Sequence, residues 1–558
     1  MPDPPQRWSL LLLVAICIPV FLAGLGSPSL WEPDEPRFAE ASREMLNRGD
    51  YMTPWFNDVT RFEKPIMLYW MQLVFYALLG VNELAARLPV ALCGVGSVLL
   101  VYLLGIRVVG QGAGLIGAVA FATMFRVVVY ARHGLTDMPL LFFLLAAMYF
   151  FQRTMEGPDD ARVRRFALLA WAGLGLAMIT KGPVALVMLP VWVGYLLLSG
   201  QRWGLQRMHA LPGTALFALI SFPWYGYMVR VHGREYLDLA LFGELVDRVV
   251  EKEFQGETRG FFYFFKVWPA DIAPWTLFFL AAVIALLVSW KTLQAETKRG
   301  VLLLLTWFVV IQIVFSLASG KLPHYIIPSY PAAALLIGLA FTRAAEPSSA
   351  APRTAMAVAS WATAVLCAIT AALTGAFLYR VFEAPFVSVS SLIPLGLIGG
   401  ALLAMVWQWR GRPLHVFAGF AATFVVVYTV LAVDTVPRYL EPFKPIRSLS
   451  AIVVEQMQPG DRVCAFTNID AQSFVFYTRA TVEKPLTPGA VRVMLAEPER
   501  VFCLMRSGDL EAVRRGLPFP IYVLGESPMF FVRLSHLWDE DPQTDRRRAL
   551  IVSNRPAQ

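Results

Sequence analysis

Apolar runs long enough to matter in a bilayer recur about fourteen times along this chain, near residues 9–26, 66–80, 88–109, 112–130, 138–154, 165–180, 182–199, 210–230, 272–290, 300–317, 325–343, 354–378, 390–409 and 413–432. Hydrocarbon offers no partner to a backbone N–H or C=O, so a chain of this pattern has to fold as helices that satisfy their own backbone. Composition agrees. Of 558 residues, 57% are hydrophobic and only 16% charged, where a soluble globule carries roughly 25%. The first run follows a single Arg7, and no small-residue cleavage site closes it, so it reads as a retained span and not a removed signal peptide.

The basic residues decide how many runs cross. If all of them did, the loop holding Arg153, Arg162, Arg164 and Arg165 would share a face with the acid-rich stretch 31–64, and Lys and Arg would scatter over both sides, against the positive-inside rule. The shortest run, 66–80, is studded with Tyr69, Trp70, Gln72 and Tyr76. If it lies in the interface as an amphipathic helix, about thirteen spans remain and every later loop inverts. The loops with Arg107, Arg153 to Arg165, Arg202 and Arg207, Lys291 to Arg299, Arg343 and Arg353, and Arg410 and Arg412 then all fall on the cytoplasmic side, which also accounts for the net charge of +8. The opposite face collects the remaining polar segments: 31–64, 132–137, Lys181, the long loop 232–271, 320–325 and the tail from Asp434.

The expected organisation is a polytopic α-helical membrane domain over 1–433, with outer loops 27–87 and 231–271, and a small C-terminal α/β domain over 434–558. In the tail, β-type runs at 462–466, 473–477, 500–505, 521–524 and 529–534 alternate with polar stretches such as 509–516. The FFYFF run beside EKEFQGETR predicts a second interfacial helix in the long loop. Cys17, Cys93 and Cys367 lie in apolar runs, where packing explains them. Cys464 and Cys503 could pair as a disulfide if the tail is extracytoplasmic.

Chemistry is expected on the outer face. Glu32, Asp34, Glu35, Arg37 and Glu40 follow the first span, and Glu63 and Lys64 precede the interfacial run. A carboxylate beside the bilayer can act as a general base, orient an acceptor or stabilise positive charge developing on a sugar ring. Asp34, with Pro36 close behind it, could equally cap a helix, while Glu32 and Glu35 read as solvated or structural. Lys64 could hold a lipid phosphate or simply snorkel to the headgroups. Asp137, in RHGLTDMP, could cap the next helix, position an acceptor, or bind a divalent cation with Glu63. Lys181, in TKGP, is costly so close to hydrocarbon unless it meets an anion. SGKLPHY brings Lys321, His324 and Tyr325 to an outer helix entry, and Arg248 and Arg259 add cations in the long loop. As a set these cations suit a phosphate-bearing lipid, though each alone could anchor at the interface. No Walker loop, dinucleotide fingerprint, nucleophile elbow or HExxH occurs, and nothing resembles a nucleic-acid module, which argues against ATP-driven transport and soluble-nucleotide chemistry.

The strings LWEPDEPRFAEASREML, FEKPIMLYW, NELAARLPVAL, HGLTDMPL, ITKGP and GKLPHYIIPSYPAAALL resemble the bacterial aminoarabinose-transferase (ArnT) branch of the protein-mannosyltransferase-like GT-C glycosyltransferases, strongly over residues 8 to 345 and only in layout beyond. The resemblance implies a GT-C fold and transfer of 4-amino-4-deoxy-L-arabinose from undecaprenyl phosphate to lipid A phosphates at the periplasmic face of the bacterial inner membrane. It also implies inversion at the anomeric carbon and resistance to polymyxin and other cationic peptides. Carried over by position, it makes Asp34 the leading catalytic carboxylate, with Glu63 and Asp137 as acids lining the cavity. No cofactor is certain; a divalent cation such as zinc between Glu63 and Asp137 is one option. Lys64, Arg248 and Tyr325 would grip the carrier phosphate, Lys181 and His324 would lie near the donor or acceptor phosphates, and Arg37 would join the substrate-binding side chains. The implied partners are the lipid-linked sugar, lipid A and membrane lipids, the protein itself being a monomer. Two alternatives stay open: a related transferase using another polyprenyl-phosphate sugar, a protein or another glycolipid, in which Asp34 would serve a hydroxyl acceptor as a true base, and a flippase without chemistry.

Overall fold

Helices begin and end on local chemistry in the computed structural model, which describes residues 6–240, 259–466, 469–529 and 547–557. The side chain of Asn82 accepts the Ala85 N–H and opens the helix Glu83–Val108; Asp160 accepts from Arg162 and Val163 and opens Ala161–Lys181. Gly49, at φ 66°, closes Asp34–Arg48 in the left-handed conformation that costs glycine least.

Among the described residues, seven helices are long and apolar enough to cross a membrane, or nine if each of two bent pairs forms one span. That is fewer than the thirteen or so read from the apolar runs, because several runs become shorter helices, such as Arg7–Leu22 and Met67–Leu79. The runs on either side of Lys181 join without a loop, Ala161–Lys181 passing through 3-10 turns at Gly182–Val187 into Met188–Leu198. At the centre of the bundle, every residue from Tyr330 to Phe341 is buried. Small residues permit the tightest approaches: a Cβ on Gly105 would sit 2.5 Å from the Cα of Gly114 on the neighbouring helix.

The run expected to lie in the interface is the helix Met67–Leu79, thirteen residues long. At 1.5 Å per residue that is about 20 Å, short of the roughly 30 Å of a hydrocarbon core. Its polar residues hold the acidic helix Asp34–Arg48. Ser42 Oγ donates to Gln72 Oε1 (2.7 Å), Gln72 Nε2 donates to the Ala86 carbonyl (3.0 Å), and Tyr76 OH donates to the Ala39 carbonyl (3.0 Å). In the long loop, the described part ends in a nine-residue helix, Tyr263–Asp271, bent by 110° from the apolar helix Thr276–Val288.

The last apolar helix continues in wide turns beyond Asp434 to Phe443, and the tail opens with the helix Pro445–Gln456. After a small outer-loop hairpin of β1 (Trp55–Phe56) and β2 (Val59–Thr60), the remaining strands among the described residues belong to the tail: β3 (Arg462–Ala465), β4 (Val482–Glu483), β5 (Val501–Arg506), β6 (Tyr522–Pro528) and β7 (Arg548–Ser553). They form one sheet in the order β4-β3-β5-β7-β6, with β3 parallel to β4 and β5, and β7 antiparallel to its neighbours. Cys464 and Cys503 lie directly opposite each other in β3 and β5, both buried and both free, so the disulfide that the sequence left open is not formed here. Two expected strands differ. The run 473–477 is helical, within Gln472–Thr478, because its first N–H groups are taken by a carboxylate from the membrane domain, a tertiary contact that outweighs β propensity. The run 529–534 falls mostly outside the described residues.

Candidate functional site

The site stands on a buried ion pair. Arg87, fully buried, donates Nε to Glu35 Oε1 (2.7 Å) and Nη2 to Glu35 Oε2 (2.8 Å), and its remaining N–H groups reach the carbonyls of Leu25, Pro28 and Ser29. Glu35 also accepts the N–H groups of Trp31 (2.8 Å) and Gly134 (2.7 Å). Burial alone would raise the Glu35 carboxyl, but Arg87 and these donors outweigh it and hold the group down at about 2. His133 beside it is lowered, chiefly by burial.

Asp34 is set apart from this pair by one residue. It is the first residue of its helix but makes no capping hydrogen bond; its one ion-pair partner among the described residues is Arg37 at 3.5 Å, and its side chain is 56% exposed. Asp137 likewise makes no cap. It is buried and accepts from Lys181 Nζ at 2.7 Å, with His324 Nε2 at 3.8 Å. The capping readings of both acids therefore have no support in the geometry.

Shared neighbours tie the expected residues into one constellation. Lys64 acts electrostatically on both Glu63 and Asp137, and Arg37 acts on Glu63. Tyr130 lies within electrostatic reach of Asp34 and Asp137, and its ring is 5.1 Å from that of His324. His324 meets the Tyr325 ring edge-on at 5.0 Å, and Lys181 Nζ lies 5.4 Å from the Tyr325 ring centre. Eight of the nine expected residues thus gather on one face; the ninth, Arg248, lies outside the described residues. Chemically, the arrangement sets one exposed carboxylate beside several cations and a buried acid, which suits a phosphate group next to a centre that develops positive charge.

The other acids of the first loop have different employment. Glu32 is bound to the tail, and Glu40 to Arg43. Glu63 is paired with Arg61 (2.9 Å), whose guanidinium stacks 4.6 Å over Phe38; although burial raises Glu63, the cations Arg61, Arg37 and Lys64 hold it below its ordinary value. A divalent cation between Glu63 and Asp137 finds no donor set: both carboxylates already face cations, and among the described residues no three His, Cys, Asp or Glu side chains gather to hold a metal. Lys321 turns away from any phosphate role, its Nζ donating to the carbonyls of Arg259 (2.9 Å) and Ala318 (2.5 Å).

Sequence reasoning passed over several members of the site. Tyr130 sat inside an apolar run, and Arg126, in the same run, pairs with Asp271 (2.5 Å), which also accepts from Tyr330 OH at 2.5 Å. A charge within such a run was the one available signal. Arg87 and Arg61 gave no signal, because their partners are remote in sequence or looked like solvated loop acids.

Comparison with known proteins follows the same lines. The family model described as dolichyl-phosphate-mannose-protein mannosyltransferase matches residues 63–227. An uncharacterized protein of Aquifex aeolicus is 31% identical over 338 residues, covering 61% of this chain and 74% of that protein. The undecaprenyl phosphate-alpha-4-amino-4-deoxy-L-arabinose arabinosyl transferase 2 of Pseudomonas fluorescens is 32% identical over 344 residues, covering 60% of this chain and 59% of that one. The crystal structure of ArnT from Cupriavidus metallidurans bound to undecaprenyl phosphate superimposes with a TM-score of 0.75 at 24% identity, over 98% of both chains.

Proposed function

From the premise that this chain belongs to the ArnT branch of the protein-mannosyltransferase-like GT-C glycosyltransferases, we propose that it moves 4-amino-4-deoxy-L-arabinose from undecaprenyl phosphate to phosphate groups of lipid A, at the periplasmic face of the inner membrane. The chain is a membrane glycosyltransferase that draws on a lipid-linked sugar. The observation that carries the finer reading is the exposed Asp34, linked through Tyr130, which lies within electrostatic reach of both Asp34 and Asp137, to the cluster of Lys64, Lys181, His324 and Tyr325 around the buried Asp137.

The reaction places few demands on proton transfer. An oxygen of the acceptor phosphate, already anionic near neutral pH, attacks the anomeric carbon. The bond from that carbon to the carrier phosphate breaks, and undecaprenyl phosphate leaves with the electron pair. Attack opposite the leaving group inverts the centre. Lys64 neutralises the leaving phosphate, and Lys181, held in place by Asp137 with the Tyr325 ring 5.4 Å from its Nζ, adds positive charge on the same side. Asp34, exposed and with Arg37 as its one ion-pair partner among the described residues, stabilises the oxocarbenium-like charge as it develops. Positioning and preorganised charge therefore supply the rate, each tenfold corresponding to about 1.4 kcal/mol of barrier.

The test is the product. Purified enzyme incubated with a polyprenyl-phosphate aminoarabinose and lipid A should yield lipid A heavier by the sugar. Turnover of the donor with no lipid A adduct would assign the acceptor elsewhere, and no turnover of that donor would overturn the sugar assignment.

A further inference from the structure

The four residues Ser29 to Glu32, just ahead of Pro33 and Asp34, are gripped one after another, and the tail supplies much of the grip. The Ser29 N–H donates to Glu441 Oε1 (3.0 Å), and its carbonyl accepts from Lys444 Nζ (2.6 Å) as well as from Arg87. The Leu30 N–H donates to Tyr477 OH (2.8 Å), which in turn donates to Glu83 (3.0 Å). The ring of Trp31 lies 4.0 Å beneath Lys444 Nζ. Glu32 then reaches into the tail domain, its carboxylate accepting the backbone N–H groups of Gln472 (3.0 Å) and Ser473 (2.7 Å) and the hydroxyl of Ser473. A second tether runs from the β1–β2 turn to the edge strand of the tail sheet, Asn57 exchanging two hydrogen bonds with the backbone of Val482 (2.9 and 2.7 Å).

These contacts end two residues short of a carboxylate that has almost no support of its own. Asp34 is half-exposed and makes no capping bond, and its one ion-pair partner among the described residues is the half-buried Arg37 at 3.5 Å. Its position therefore depends on the backbone before it, and that backbone is fixed from the membrane side by Arg87 and from the tail side by Glu32 and Tyr477. A catalytic group must be held to within a fraction of an ångström to keep its effect on the transition state.

We propose that Glu32 is a positioning residue for Asp34, and that the C-terminal domain, through Gln472 and Ser473, is a working part of the transfer site. The inference rests on the role given to Asp34 above. It predicts a loss in the chemical step with little change in donor binding, since neither Glu32 nor Ser473 stands among the phosphate-facing cations.

The experiment measures kcat and donor KM per folded molecule for full-length Glu32→Ala, Glu32→Gln, Ser473→Ala, the double variant Glu32→Ala with Ser473→Ala, and Asp34→Asn as reference. Glu32→Ala should lower kcat at least tenfold with KM within about twofold, and Glu32→Gln, whose amide oxygen can still accept the Ser473 N–H and hydroxyl while its NH2 faces the Gln472 N–H, should recover part of the loss. The double variant should be no worse than Glu32→Ala, because both changes open one junction. Glu32→Ala with kcat unchanged, beside an inactive Asp34→Asn, would overturn the inference while leaving the site reading intact. An active Asp34→Asn would overturn the site reading itself. If Glu32→Ala does not fold, Ser473→Ala decides in its place: a kcat at the wild-type level defeats the proposal, and a fall with KM preserved supports it.

Discussion

Glu35 and Arg87 form a two-pronged ion pair of 2.7 and 2.8 Å, fully buried, one residue from the exposed Asp34. Adjacent acids thus carry opposite burdens, one pinning the loop and the other left half-exposed. Removing one partner of such a pair strands a buried charge and typically costs about 3–5 kcal/mol. Glu35→Gln should accordingly lower Tm and the yield of folded protein in detergent sharply, well beyond any effect of Asp34→Asn. Equal thermal stability for the two variants would contradict this division of labour.

For Asp34→Asn the opposite pattern is expected. Its side chain is 56% exposed with one long contact, so the folded state should change by no more than about 0.5 kcal/mol. Transfer should fall by two orders of magnitude or more, about 2.7 kcal/mol of lost transition-state stabilisation. Thermal unfolding and single-turnover transfer on the same preparation would show both.

Lys181 and Asp137 test electrostatic neutrality at the site. Lys181→Met leaves the Asp137 carboxylate buried, its nearest remaining basic group being His324, whose Nε2 lies 3.8 Å away and is charged only when protonated. Activity should drop at least tenfold, and adding Asp137→Asn should restore folded yield without restoring activity. A Lys181→Met enzyme with normal kcat and KM would remove this pair from the mechanism.

Stability should depend on pH through the loop acids. Burial pushes Glu32 up to about 7, against the donors from Ser473 and Gln472, and burial with neighbouring Glu40 does the same for Glu44. Both groups hold protons more tightly folded than unfolded, so stability falls as pH rises from the ordinary value of 4.5 through about 7. Glu35 has the opposite sign, but its contribution is complete above pH 4.5 and is lost only as pH falls towards about 2. Between pH 5 and 8, Tm should therefore decline, and Glu44→Gln should flatten the slope. A Tm that rises over this range, or a slope untouched by Glu44→Gln, would count against the assignment.

Much of the architecture was legible in the sequence because bilayer physics is local. Run length, the short polar-studded stretch before Glu83 and the distribution of Lys and Arg led to a helical bundle, a short separate helix at Met67–Leu79 and one face that gathers the polar residues. Residue type and placement by themselves brought Asp34, Glu63, Lys64, Asp137, Lys181, His324 and Tyr325 into a single list. What they could not do was rank the acids of the first loop. Glu32, Asp34, Glu35 and Glu40 look alike in sequence, and what separates them is their partners, Ser473, Arg87 and Arg43 for three of them and, among the described residues, only Arg37 at 3.5 Å for Asp34. Two of those partners lie 441 and 52 residues away. The energy of a carboxylate is set by its burial and by the charges that meet it, and both are properties of the folded chain. The sequence therefore determined where acids would collect; only the tertiary structure decided which of them remained free to act.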